Sequence, residues 1–252
     1  MKKNIAYLII VAFIISSNGC TKKVNDDNII IVAATGDISS RVNDFRNMLG
    51  LPLNTLPGSI NGRREINWDG VPSEFVNQSL PVDFFNPTTT DAPQARQRGL
   101  IYSSVTGEFR VSNNGFANVN QGAATEFTTF SGDKVFANIS NNLWDAGFQV
   151  AGQAVAATVK GFGIVFSDVD LGNTNSLEFF NENKSLGVYF VPAKTTGSNF
   201  SFLGVYFKNE RVTRVRVKHD GKLSDGQNDI SNGGTKDLVV MDDFLYDEPV
   251  KR

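Results

Sequence analysis

Three polar clusters interrupt an otherwise apolar chain, and their residue types limit the chemistry available. The first is GRREINWDG, Gly62 to Gly70, with two arginines, two acids, an amide and an indole in nine positions. A tryptophan between Asn67 and Asp69 suits a sugar, because the indole stacks on the apolar face of a pyranose while amide and carboxylate take paired hydroxyls. Arg63 or Arg64 would add a bidentate contact to an acidic sugar. The same residues also suit a latch, with Trp68 buried as a peg and the charges paired beneath it. The second cluster is SDVDLGNTNS, Ser167 to Ser176. Asp168 and Asp170 alternate and Asn173 and Asn175 follow, an oxygen-rich set suited to Ca²⁺. It is not an EF-hand loop, since Gly172 takes a ligand position, and a strand-end turn with Asx hydrogen bonds is the plainer alternative. The third is VVMDDFLYDEP, Val239 to Pro249. Strand alternation there puts Asp242 and Asp243 on opposite faces, so one carboxylate must point inward and find an arginine or a metal.

Catalysis has little to stand on. His219 is the only histidine, and HDG reads as a turn. One histidine excludes His-rich zinc sites and leaves a Ser-His-Asp triad hard to assemble. Eight glutamates leave a two-carboxylate hydrolase open, but no strand carries two of them at alternate positions. GFG (Gly161–Gly163) lies inside a strand, where its glycines permit close packing.

The elements that must position these clusters are mostly strands. One helix is expected in GDISSRVNDFRNMLG, where Ile38, Val42, Phe45 and Leu49 form a stripe, Asp37 is the N-cap and Gly50 the stop. Strands are expected at 100–105, 108–112, 134–139, 149–159, 162–167, 176–180, 186–191, 200–207, 211–218 and 238–246, separated by turn residues. In RVTRVRVKH, Thr213, Val215 and Val217 face one way and Arg214, Arg216 and Lys218 the other, a half-solvated antiparallel strand. GVYFV and FLGVYF are apolar on both faces and belong near the middle of a sheet. Residues 51–99 hold six of the eight prolines. With Trp68, Phe75, Phe84 and Phe85 they form an ordered excursion rather than a disordered one. The fold class is all-β: a jelly-roll-like antiparallel sandwich with one short helix and a long loop excursion.

At the N-terminus, Lys2 and Lys3 precede an eleven-residue apolar run, Ile5 to Ile15, too short to span a bilayer and readable as a secretory signal. SSNGC then resembles the bacterial lipobox, which implies cleavage before Cys20 and a diacylglycerol on its sulfur. Residues 1–19 are the signal, 20–28 a charged tether and 29–252 a single domain. Cys20 is the lone cysteine, so no intramolecular disulfide is possible. TKKVNDDN loosely resembles the surface-export signals of Bacteroidetes lipoproteins, implying an outer-membrane lipoprotein at the cell surface. Removing the signal leaves 22 cations against 26 anions, net −4, with no basic patch for nucleic acid.

From Thr35 to Pro249, TGDISSRVNDFRNMLG, GRREINWDGVP, FFN, GFGIVFSDVD and VVMDDFLYDEP together resemble a set of uncharacterised secreted bacterial proteins, some with PEP-CTERM-type sorting tails. The resemblance implies that the three clusters belong to one design and brings no activity with it. The chain ends in DEPVKR without a sorting helix, so the N-terminal lipid is the expected anchor. A terminal strand bearing such aspartates also resembles jelly-roll carbohydrate-binding modules with a structural calcium. The expected function is therefore non-catalytic binding of a glycan or other extracellular ligand. A structural or adhesive envelope protein and a polysaccharide hydrolase or lyase are the alternatives.

Overall fold

The computed structural model describes residues 28–103 and 107–252. The signal segment, Cys20 and the tether up to residue 27 lie outside the described residues. The chain begins with β1 (Ile29–Thr35), α1 (Ser39–Leu49) and β2 (Arg63–Ile66). Five strands follow: β3 (Leu100–Ser103), β4 (Phe109–Ser112), β5 (Val135–Asn138), β6 (Leu143–Phe148) and β7 (Ala157–Thr158). Then come β8 (Gly161–Ser167), β9 (Ser176–Asn181), β10 (Lys184–Phe190) and β11 (Phe200–Phe207). β12 (Arg214–Lys218), β13 (Val240–Asp247) and β14 (Val250–Lys251) complete the set.

Two antiparallel sheets make an all-β sandwich. The larger has the order β1-β11-β8-β13-β5-β4, with β2 also on β13; the smaller runs β10-β9-β12-β6-β3. β14 and β7 form a separate two-stranded pair. Alternate residues of both sheets fill the space between them, led by Phe136, Trp144, Phe162, Phe179, Val215 and Phe244. The alternation foreseen in β12 holds: Val215 and Val217 are buried, and Arg214 and Arg216 point out over Phe180.

The outer face of the larger sheet is covered by α1, whose Val42, Phe45 and Leu49 make the expected stripe. Asp37 sits one residue before the cap position, and its carboxylate accepts the Ser39 N–H at 3.1 Å. Phe45 lies directly over the sheet because Gly163 and Gly204 leave room for it. A Cβ at either glycine would stand 2.8 Å from the ring. The GFG glycines are thus packing residues.

Several expected elements differ. β1 and β6 escaped the sequence reading: β1 is IIIVAAT, without polar alternation, and in LWDAGF an Asp and a Gly occupy the outward positions. The expected strand 149–159 is instead mostly a tight turn at Ala151–Gly152, closed by the Val150 N–H to Val155 O. GVYF (Gly187–Phe190) lies in β10, which is an edge strand with Val188 and Phe190 exposed. The 51–99 excursion is ordered, as expected, because Phe75, Phe84, Phe85 and Trp68 pack on one another edge to face.

Candidate functional site

GRREINWDG is half strand and half turn. Its first half is β2, paired antiparallel with β13 so that Arg64 faces Tyr246 and Ile66 faces Phe244. The chain then turns sharply at Trp68, which holds a left-handed φ of 66°. That costs a non-glycine residue about 1–2 kcal/mol, and burial offsets it. Trp68 stacks on Phe136 with centroids 4.1 Å apart and planes 5° from parallel, meets Phe85 and Phe244 edge-on, and is 1% exposed. Its Nε1–H donates to Asp242 O at 2.7 Å.

The sugar-binding set expected at Arg63, Arg64, Asn67, Trp68 and Asp69 is therefore not assembled as an open site. Phe136 covers the indole face, and Arg64 is fully buried, donating to Glu248 Oε1 at 2.7 Å and to the carbonyls of Leu56 and Gln97. Arg63 pairs with Glu65 at 2.7 Å. Of the five, only Asn67 is exposed.

Asp242 and Asp243 do not face opposite ways. β13 shifts register against β8 between Met241, opposite Phe166, and Phe244, opposite Ile164, so two residues oppose Val165 alone. This bulge breaks the alternation and brings both carboxylates to one serine. Ser131 Oγ–H donates to Asp243 Oδ1 at 2.5 Å and lies 3.4 Å from Asp242 Oδ1. The partner cation is neither Arg63 nor Arg64: Arg46, from the last turn of α1, donates to Asp243 Oδ2 at 3.2 Å and to Glu65. With an arginine, a serine and two backbone amides on them, these carboxylates are committed to protein partners, which disagrees with the metal-ligand role expected for Asp242 and Asp243.

The three clusters do meet, on one segment. Residues 126–133 run past all of them. The Thr128 N–H donates to Ser167 Oγ at 2.8 Å, and Asn199 Nδ2 donates to Glu126 O and Thr128 Oγ1. The Phe130 and Ser131 N–H groups donate to Asp242 Oδ2 at 2.6 and 3.3 Å. The Asp133 N–H donates to Asp69 Oδ1 at 2.8 Å. Gly132 is required there: at φ 55°, any Cβ would lie 2.1 Å from Asp69 Oδ2.

That clamped segment walls a groove of about 540 Å³ on the edge of the larger sheet, opposite the β4 turn. The size lies within the range of small-ligand sites. Asn113 and Asn114 line one side, and Phe127, Thr128, Thr129 and Asp133 the other. Amides and hydroxyls present paired donors and acceptors, and a single aromatic offers an apolar face. Sequence reading missed this groove because SNNGFANVN and TEFTTFSGD resemble ordinary turns.

The acidic cluster differs in membership from the expected one. Asp168 and Asp170 are joined by Asp229, with one carboxylate oxygen of each within 4.8 Å of the others. Lys194 Nζ bridges Asp168 Oδ1 and Asp170 Oδ1, while both Oδ2 atoms lie buried without a hydrogen-bond partner. Burial pushes Asp168 up to about 7, against the pull of Lys194. Asp170 is also raised, by burial first, whereas Asp229, despite its burial, is held below the usual range by the Ser231 and Leu238 N–H groups that donate to it. Nearby, Asp237 accepts from the Asp170 and Leu171 N–H groups and from Thr174 and Asn175. Carboxylate donors with free oxygens fit a hard divalent cation. Lys194, 20% exposed, would have to swing aside to admit one.

His219 is buried, with Nδ1 2.7 Å from Gly221 O, and burial lowers it to about 4. Asp242 moves the other way: burial and then the charge of Asp243 push it up to about 8. An acid whose folded pKa is raised stabilises fully below its unfolded value near 3.8 and loses that contribution as pH rises toward 8. His219 adds no slope above its ordinary 6.5, so stability should fall between pH 6.5 and 8. Asp242→Asn should flatten most of that decline in urea midpoints, and an unchanged slope would contradict the assignment.

Compared with protein-family models, curated proteins and solved structures, the chain matches none of them.

Proposed function

We propose that this protein is a non-catalytic β-sandwich of the cell envelope, anchored by lipid on Cys20, that binds a glycan in the groove between Asn113–Asn114 and segment 126–133. One observation carries the reading: three clusters far apart in sequence, at Asp69, Ser167 and Asp242, converge to fix the backbone of that groove wall. A wall held before the ligand arrives saves the cost of ordering it on binding. The lining supports a neutral or weakly basic saccharide, with Phe127 as the stacking face and Asp133 for paired hydroxyls. The paired carboxylates Asp242 and Asp243 are sealed from solvent, which weighs against the hydrolase alternative.

A cation at Asp168, Asp170 and Asp229 is the second element of the proposal. Three carboxylates facing one lysine are under-neutralised, and Ca²⁺ would supply the missing charge one residue from Ser167, which holds Thr128. The ion would brace the groove wall rather than contact the sugar.

The test is a glycan-array screen of the processed protein, with Ca²⁺ and with EDTA, beside Phe127→Ala and Asp133→Ala. Each substitution should weaken binding about tenfold, the worth of roughly 1.4 kcal/mol. The melting temperature should stay nearly unchanged in Asp133→Ala, where the side chain is exposed, and should fall in Phe127→Ala, where the ring also packs on the core. EDTA should weaken binding and lower the melting temperature together. A folded protein that binds no glycan would instead favour the structural or adhesive reading.

A further inference from the structure

The loop between α1 and β2 carries an apolar surface that the sandwich does not use. Leu51, Leu53, Leu56 and Ile60 are 71, 43, 53 and 83% exposed. Exposed aliphatic residues elsewhere are mostly isolated, whereas these four fall within ten positions.

The loop is held rigid from below. Fully buried Arg64 donates to Leu56 O, Arg63 donates to Gly50 O, and Asn54 Nδ2 donates to Asn61 O and Glu248 Oε2. Arg98 donates to Asn54 O, and the Asn54 and Arg63 N–H groups close a short ladder across the loop neck. A buried arginine and a buried glutamate are thus committed to fixing backbone whose side chains point into solvent.

The loop's place in the fold indicates what covers it. Asn28, where the described chain begins, accepts from the Lys208 N–H at one end of the larger sheet. α1 runs back to that same end: Leu49 packs against Gly161, which pairs with Tyr206, the partner of Ile30. Arg63 faces Asp247, whose carboxylate accepts from Lys160 and Gly161, at the same end again. β1 and β2 stand four strand spacings apart, about 19 Å at roughly 4.8 Å each. The eight residues from Cys20 to Asp27 reach at most about 27 Å. An anchor at Cys20 would therefore hold the bilayer within reach of the loop. Lys160 and Lys208 add positive charge at this end.

We infer that loop 51–60 inserts its four aliphatic side chains into the surface of the membrane that holds the N-terminus, fixing the orientation of the sandwich. The inference rests on the lipid-anchor reading, and the experiment separates the two. The full chain, made in a bacterium that processes lipoproteins, is placed in phosphatidylethanolamine–phosphatidylglycerol vesicles, and mass spectrometry reads the acyl group on Cys20. Environment-sensitive fluorophores are attached to Ile60→Cys and, as a control, to Val188→Cys on the smaller sheet. The probe at 60 should be quenched by brominated lipid and the probe at 188 should not. A solvent-exposed probe at 60 in protein bound through acylated Cys20 overturns the inference.

If Cys20 carries no lipid, the anchor reading falls, and vesicle co-sedimentation of the unacylated chain decides the loop. Leu51→Asn/Ile60→Asn should then cut partitioning about tenfold or more, and equal partitioning overturns the inference. These side chains are exposed, so the variant should melt like the parent. A concentration-dependent dimer abolished by Ile60→Asn would replace the lipid with a second copy of the chain.

Discussion

Trp68→Ala should be among the most destabilising single substitutions in the chain, and it should act through the fold rather than through a ligand. The indole is enclosed by Phe136, Phe85 and Phe244, and its N–H is used by Asp242 O. Emptying such a site costs about 3–5 kcal/mol, and the orphaned carbonyl adds about 1 more. For a domain of this size that lowers the melting temperature by about 10–15 °C. Trp68→Phe should recover much of the packing but not the hydrogen bond, and so fall between. Calorimetry of the three proteins is sufficient. A melting temperature unmoved in Trp68→Ala would place the indole in solvent and restore GRREINWDG as a sugar platform.

The second large effect lies at Arg64 and Glu248. Both are buried, 2.7 Å apart, and Glu248 also accepts from Asn54. Arg64→Met leaves a carboxylate without its cation in the interior and should cost about 3–5 kcal/mol. Adding Glu248→Gln removes the stranded charge, so the double variant should be less unstable than the two single losses predict, by about 0.5–3 kcal/mol. Arg64→Met with Asp243→Asn should instead be close to additive, since Asp243 answers to Arg46. Denaturant titrations of both cycles distinguish the pairs. Coupling of Arg64 to Asp243 rather than Glu248 would show that the register of β2 on β13 is wrong.

The sandwich, the helix and the order of the excursion were legible because each rests on a local signal. The α1 stripe has a helical period, Val215 and Val217 alternate with arginines, and the excursion carries large aromatics beside its prolines. The latch character of Trp68 was also open to sequence reasoning, but its partners were not. Asp242 and Asp243 looked divergent because strand alternation was assumed to continue through them. A bulge obeys the partner strand, and nothing in VVMDDFLYDEP records that β8 offers only Val165 opposite two residues. Arg46 is a surface-type position on an amphipathic helix, and only the close seat of α1 on Gly163 and Gly204 brings it to Asp243. Asp229 joins Asp168 and Asp170 across some sixty residues, a distance that spacing patterns do not cover. The groove was invisible for the same reason, since its walls come from two turns that lack any motif.

Three separated clusters hold residues 126–133 through hydrogen bonds to their backbone. Hydrogen–deuterium exchange of the peptide covering that segment tests this most directly, in the parent and in Asp69→Ala, Ser167→Ala and Asp242→Asn. The parent should exchange slowly at Thr128, Phe130, Ser131 and Asp133, whose N–H groups the clusters accept. Each substitution should speed exchange of this one peptide at conditions where the sandwich strands stay protected. Fast exchange in the parent, or a segment indifferent to all three substitutions, would contradict the claim and leave the clusters as unrelated pieces of architecture.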